Sequence, residues 1–99
     1  MEIVKDLNGT ALNIALIGRL DTTTAPALEA EIGSSLTGIT ELAFDFAQLE
    51  YISSAGLRVL LAAQKVMNKQ GKMTVRSVSS DIMEVFEITG FSDILTILS

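Results

Sequence analysis

Two adjacent serines, Ser53 and Ser54, stand where the apolar pair Tyr51-Ile52 gives way to the apolar run Leu57-Arg58-Val59-Leu60-Leu61. The pattern predicts a strand-to-helix junction here, with the helix beginning near Ser54. A helix N-terminus presents unpaired N–H groups and a partial positive charge, which together favour an oxygen anion. A serine hydroxyl at that point can cap the helix, or it can carry a phosphate. Gly56 in the first turn costs about 1 kcal/mol of helix stability relative to alanine. With the small Ala55 beside it, it leaves the helix mouth open to a partner. Arg58 lies four residues after Ser54, on the same helix face, where its guanidinium can reach a phosphate.

Other chemistries are closed to these serines. The chain has no histidine and no cysteine. Imidazole acid–base catalysis, thiolate chemistry, disulfides and Cys/His zinc sites are therefore excluded within it. Serine nucleophiles need a base, and the Ser-x-x-Lys alternative fails because Leu57 follows Ser54 by three and Gly56 follows Ser53 by three. No Gly-x-x-x-x-Gly-Lys-Ser/Thr loop occurs. No cofactor and no enzymatic role are expected. The net charge of −5 argues against direct nucleic-acid binding. No apolar run approaches the roughly 20 residues that cross a bilayer, and Met1–Asp6 lacks a signal-peptide pattern. No membrane insertion and a cytoplasmic location are the expectation.

The elements that must position the serines follow from periodicity. Ninety-nine residues, 48% of them hydrophobic, suffice for one domain spanning residues 1–99 with its own core. Runs 2–7 and 10–17 flank Asn8-Gly9, a hairpin dipeptide, and Gly18 is read as the strand's end. Asp21-Thr22-Thr23-Thr24-Ala25 before Pro26 reads as a helix start, with Leu28, Ile32 and Leu36 as its apolar stripe and Thr37-Gly38 as its close. Leu42, Phe44 and Phe46 share one face of a strand over 41–46, followed by a short loop. Asp45 is expected near that strand's C-terminal end, bonded to the loop.

The second helix is expected over 54–70, with Leu57, Leu60, Leu61, Gln64 and Met67 inward and Arg58, Lys65 and Lys69 outward. Gly71 would stop it in the left-handed conformation. A strand over 72–78, a helix opened by Ser79-Ser80-Asp81 and stopped by Gly90, and a final strand or helical turn over 94–98 complete the chain. The alternation implies an α/β domain: a mixed, mostly parallel sheet with an N-terminal antiparallel hairpin and helices packed on it.

Three segments carry a family likeness. Gly18-Arg19-Leu20-Asp21 leading into Thr24-Ala25-Pro26-Ala27-Leu28, Phe44-Asp45-Phe46 followed by Tyr51-Ile52-Ser53-Ser54-Ala55-Gly56-Leu57, and Ile88-Thr89-Gly90-Phe91 resemble, in order, the signature segments of STAS domains. In particular they resemble the stand-alone anti-sigma factor antagonists. The resemblance implies a cycle. The unphosphorylated antagonist binds an anti-sigma factor serine kinase and frees a sigma factor; phosphorylation of a serine at the start of the second helix breaks the complex, and a metal-dependent serine phosphatase reverses it. The family motif Asp-Ser-Ser/Thr-Gly places the phosphoacceptor on Ser54, with Ser53 as second choice. The motif's aspartate position is occupied by Ser53, so no acidic residue precedes Ser54. Asp21, Thr22, Ser53, Ser54, Ala55, Gly56, Leu57 and Arg58 are then the expected partner-binding residues. The alternative is a STAS subunit of another assembly, such as a lipid-transport ATPase complex, in which Ser54 only caps a helix and shapes a docking surface.

Overall fold

The computed structural model describes residues 1–98. Among these, five strands form one sheet in the order β1-β2-β3-β4-β5: β1 (Glu2–Asn8), β2 (Ala11–Leu20), β3 (Glu41–Ile52), β4 (Lys72–Arg76) and β5 (Ile97–Leu98). β1 and β2 are antiparallel, and every later pairing is parallel. The connections carry α1 (Ala25–Ser35), α2 (Ser54–Gln70) and α3 (Ser80–Thr89), with a 3-10 turn at Phe91–Asp93 before β5. This is the mixed, mostly parallel α/β domain that the alternation implies.

The helices cover one face of the sheet. Leu12, Ile14, Leu16, Leu42, Phe44, Phe46, Met73 and Val75 are buried, whereas the intervening Ala11, Asn13, Ala15, Ala43, Asp45 and Thr74 remain partly exposed. Leu28 and Ile32 of α1, Leu60, Ala63 and Met67 of α2, and Ile82 and Phe86 of α3 close the core over the covered face. Phe46 links Phe44 and Phe86, with ring centroids 5.9 and 6.4 Å apart. Such tilted pairs add roughly 0.5–1.5 kcal/mol each beyond their burial. On α2 the inward set is Leu57, Val59, Leu60, Ala63, Gln64 and Met67; Leu61 is only half-buried.

Several boundaries differ from the periodicity reading, each for a local reason. The hairpin turn is Gly9-Thr10, with Gly9 at φ +65° and Asn8 paired to Ala11 in the ladder. β2 does not stop at Gly18. That glycine takes φ +107° inside the strand, beside a register irregularity, and the strand runs on to Leu20. β3 likewise continues through the expected loop to Ile52. Between the pairs Ala15↔Asp45 and Ile17↔Gln48, and again between Gly18↔Leu49 and Arg19↔Tyr51, β3 carries one extra residue. The first bulge turns Leu49 inward although it breaks the alternation set by Phe44 and Phe46, and the second restores the original phase, so that Ile52 is inward again. Asp45 is therefore mid-strand. Its Oδ1 accepts the Ala47 N–H at 2.9 Å, bridging the first bulge, and Arg76 lies 3.9 Å away on the next strand.

β4 ends at Arg76 rather than residue 78, because Ser77 adopts φ +59° and breaks the extended chain. The C-terminal segment resolves into the 3-10 turn and the two-residue β5. Gly90 caps α3 in the left-handed region at φ +83°, as expected. Gly71 does not do the same for α2: its φ of 175° is ordinary extended backbone. Its lack of a side chain answers a different need, since a Cβ there would lie 1.9 Å from the Thr40 carbonyl oxygen. That oxygen accepts the Lys72 N–H at 3.0 Å, so the end of α2 is pressed against the start of β3. Gln70 adds a second tie, donating from Nε2 to the Leu36 and Ile39 carbonyls, both at 2.6 Å.

Candidate functional site: the mouth of the second helix

The site is built where β2 and β3 end together. Leu20 and Ile52 are register partners, both buried, and the Ser53 N–H donates to the Leu20 carbonyl at 2.9 Å. Ser53 is extended (φ −99°, ψ 175°) and occupies the N-cap of α2. Its Oγ accepts the Gly56 N–H at 3.4 Å, and its carbonyl accepts the Leu57 N–H at 3.0 Å. Ser54 is the first helical residue and is exposed. The two readings of the serine pair thus separate by position: Ser53 spends its hydroxyl on the cap, and Ser54 presents its hydroxyl to solvent.

Gly56 and Leu57 are not surface residues. Leu57 is buried in the core, and a Cβ on Gly56 would meet Leu20 Cγ at 2.7 Å and Ile52 Cγ1 at 3.0 Å. The glycine does not open the helix mouth outward, as its sequence position suggested. It lets the first turn of α2 sit directly on the strand ends, and so fixes the height at which Ser54 emerges. Ala55 is half-buried and Arg58 exposed, which leaves Ser54, Ala55 and Arg58 as the accessible residues at the N-terminal end of α2.

Asp21 shapes the neighbouring loop. Its Oδ1 accepts from Thr23 Oγ1 at 2.7 Å, the Thr23 N–H at 3.0 Å and the Thr24 N–H at 3.2 Å. Thr24 in turn donates from Oγ1 to the Arg19 carbonyl at 2.8 Å and receives the Asp21 N–H at 2.8 Å. The loop is a closed hydrogen-bonded knot that ends at α1, whose first turn contains Pro26, and Thr22 stays exposed beside it. The Thr23 hydroxyl, helped by the Thr23 and Thr24 N–H groups, holds the Asp21 carboxyl below its ordinary range. A carboxyl lowered by folding stabilises the fold above its unfolded pKa, and that contribution is lost as the pH falls through the folded value. Asp21→Asn should therefore flatten the acid limb of the stability–pH curve below about pH 4, the ordinary aspartate range. Thermal melts between pH 2 and pH 7 check this.

Sequence reasoning passed over two further groups. Arg19 lies with its guanidinium carbon 4.2 Å from the centroid of the Tyr51 ring and its Nε 3.8 Å from Asp21 Oδ2. The pair exists because the second bulge in β3 sets Tyr51 opposite Arg19, a register that alternation alone cannot show. Glu29, on α1, shares a shallow groove with Arg58. Asp45 stays apart from the serines, occupied by Ala47 and Arg76 on the other face of the sheet. Among the described residues no group of three or more His, Cys, Asp or Glu side chains forms a metal site, and no helix is long and apolar enough to cross a membrane.

A small α/β unit with an exposed serine one residue beyond a serine cap matches the STAS domain family model over residues 2–99. The chain belongs to the STAS domain family. A curated protein of Bordetella bronchiseptica, BtrV, named as a candidate anti-sigma factor antagonist, is 35% identical over 99 residues, 98% of this STAS domain and 85% of that protein. The anti-sigma-B factor antagonist of Listeria monocytogenes is 31% identical over 97 residues, covering 95% and 84% of the two chains. Among solved structures, an anti-sigma factor antagonist from Mycobacterium paratuberculosis superposes with a TM-score of 0.87 at 23% identity, over 97% of this STAS domain and 83% of that chain. That likeness is one of fold.

Proposed function

We propose that this STAS domain is a phosphorylation-gated anti-sigma factor antagonist and not an enzyme. In its unmodified form it binds an anti-sigma factor serine kinase and frees a sigma factor. The kinase transfers the γ-phosphoryl group of ATP to Ser54 Oγ, ADP leaves, and the complex separates; a serine phosphatase restores the binding form. The reading draws support from the names of the relatives. One observation carries it: Ser53 already caps α2, so the exposed hydroxyl of Ser54 is spare.

Physical chemistry supplies the gate. A phosphoserine carries roughly −1.5 to −2 charges at neutral pH. In the free protein that charge stands at the positive end of a 17-residue helix and in water, where it is tolerated. Against a partner packed on the same helix mouth it would be desolvated without adequate counter-ions, at a cost of several kcal/mol. The change needs no refolding.

The test has two stages. Unmodified protein is used to capture partners from its host, and the captured kinase is then incubated with the protein and ATP. Mass spectrometry should place one phosphate on Ser54 and none on Ser53. Capture of a kinase-free complex, with neither serine modified, would reject the proposal in favour of a non-phosphorylated docking subunit.

A further inference from the structure

Beside Ser54 a shallow groove of about 290 Å³ runs between the first turns of α1 and α2. Its apolar lining is Ala25, Pro26, Ala55 and Val59, and it carries two opposite charges, Glu29 on α1 and Arg58 on α2. Both residues are exposed, and among the described residues neither forms an ion pair. The contrast with the other arginines is informative, since Arg19 is held by Tyr51 and Asp21, and Arg76 has Asp45. Arg58 is left uncommitted one helical turn from the one serine at this mouth whose hydroxyl is not used in capping.

We infer that Arg58 is the second arm of the switch, serving two alternative anions. In the unmodified protein it takes a carboxylate from a segment of the anti-sigma factor seated in the α1–α2 groove, while Glu29 takes a basic group from the same segment. Once Ser54 is phosphorylated, the phosphate at position i captures the guanidinium at i+4. The partner's carboxylate then loses its counter-ion and faces a phosphate instead. Phosphorylation removes an attraction as well as adding a repulsion, so the discrimination exceeds what repulsion alone supplies. This inference rests on the proposed antagonist function but assigns a separate residue and a separate measurement.

The first measurement needs no partner. In the chain phosphorylated at Ser54, the ³¹P resonance should titrate at lower pH with Arg58 present than in Arg58→Ala, because a nearby cation favours the dianion. Identical titrations would overturn the capture step whatever the partner proves to be. The second measurement compares affinities for the anti-sigma factor captured by the unmodified chain. Arg58→Ala should weaken binding of the unmodified form by roughly tenfold, leave the phosphorylated form almost unchanged, and so shrink the discrimination by the same roughly tenfold factor. Equal weakening of both forms would reduce Arg58 to an ordinary contact and overturn the inference while leaving Ser54 as the gate. Glu29→Lys should weaken both forms alike; an unaltered affinity would remove the groove from the interface.

Discussion

Ser54→Asp should lower the affinity for the anti-sigma factor by about a hundredfold, whereas Ser54→Ala should bind as the parent does and resist release by ATP. The asymmetry follows from what each oxygen does. The Ser54 side chain is exposed and makes no hydrogen bond among the described residues, so its removal deletes no internal contact. A permanent carboxylate brings charge to the interface proposed at the helix mouth, where two decades of affinity correspond to about 2.8 kcal/mol, within the range of a poorly compensated charge. The neighbouring serine supplies the control. Ser53→Ala removes the cap and should cost about 1 kcal/mol of stability, with little selective effect on release. Calorimetric binding titrations and thermal melts on the three variants separate gate from cap. Wild-type affinity in Ser54→Asp would refute the electrostatic account.

Gly71→Ala should be the most damaging single-methyl change in the chain. A Cβ at that position falls 1.9 Å from the Thr40 carbonyl oxygen and 2.6 Å from its carbon, both backbone atoms that cannot rotate aside. Relief requires the end of α2 to part from the start of β3, which also breaks the Lys72 N–H bond to Thr40. Backbone clashes in packed regions belong to the small class of substitutions that cost about 3 kcal/mol or more. For a domain of this size that lowers Tm by roughly 15 °C. Gly90→Ala, left-handed but with nothing within 4 Å of its Cβ, provides the comparison and should cost less. If the two variants melted together, the close approach at Thr40 would carry no energetic weight.

Much of the architecture was legible because period and punctuation agreed. α2 begins and ends where Ser53-Ser54 and Gly71 predict, and the paired alternation of Leu12, Ile14, Leu16 with Leu42, Phe44, Phe46 marks one buried sheet face. Part of what failed lies beside the site. The bulges in β3 insert residues that alternation cannot anticipate, so Leu49 and Ile52 read as a loop and its exit, and the apposition of Arg19 with Tyr51 was invisible. Glycine was misread twice for one reason. Gly56 and Gly71 were explained by openness and by backbone handedness, yet both are demanded by how closely another segment approaches. Such proximity belongs to tertiary packing and leaves no local trace. The serines were the opposite case: the sequence offered cap and phosphate as rivals, and the structure gives the cap to Ser53 while leaving Ser54 exposed.

The anchoring of α2 has a consequence for how information leaves this molecule. Its first turn is bolted to the strand ends through Leu20 and Ile52, and its last is tethered at Leu36, Ile39 and Thr40. A rod fastened at both extremities can neither slide nor tilt without rupturing those fastenings. Under the proposed switch, a message written at Ser54 is therefore a local mark, meant for a reader in direct touch with it.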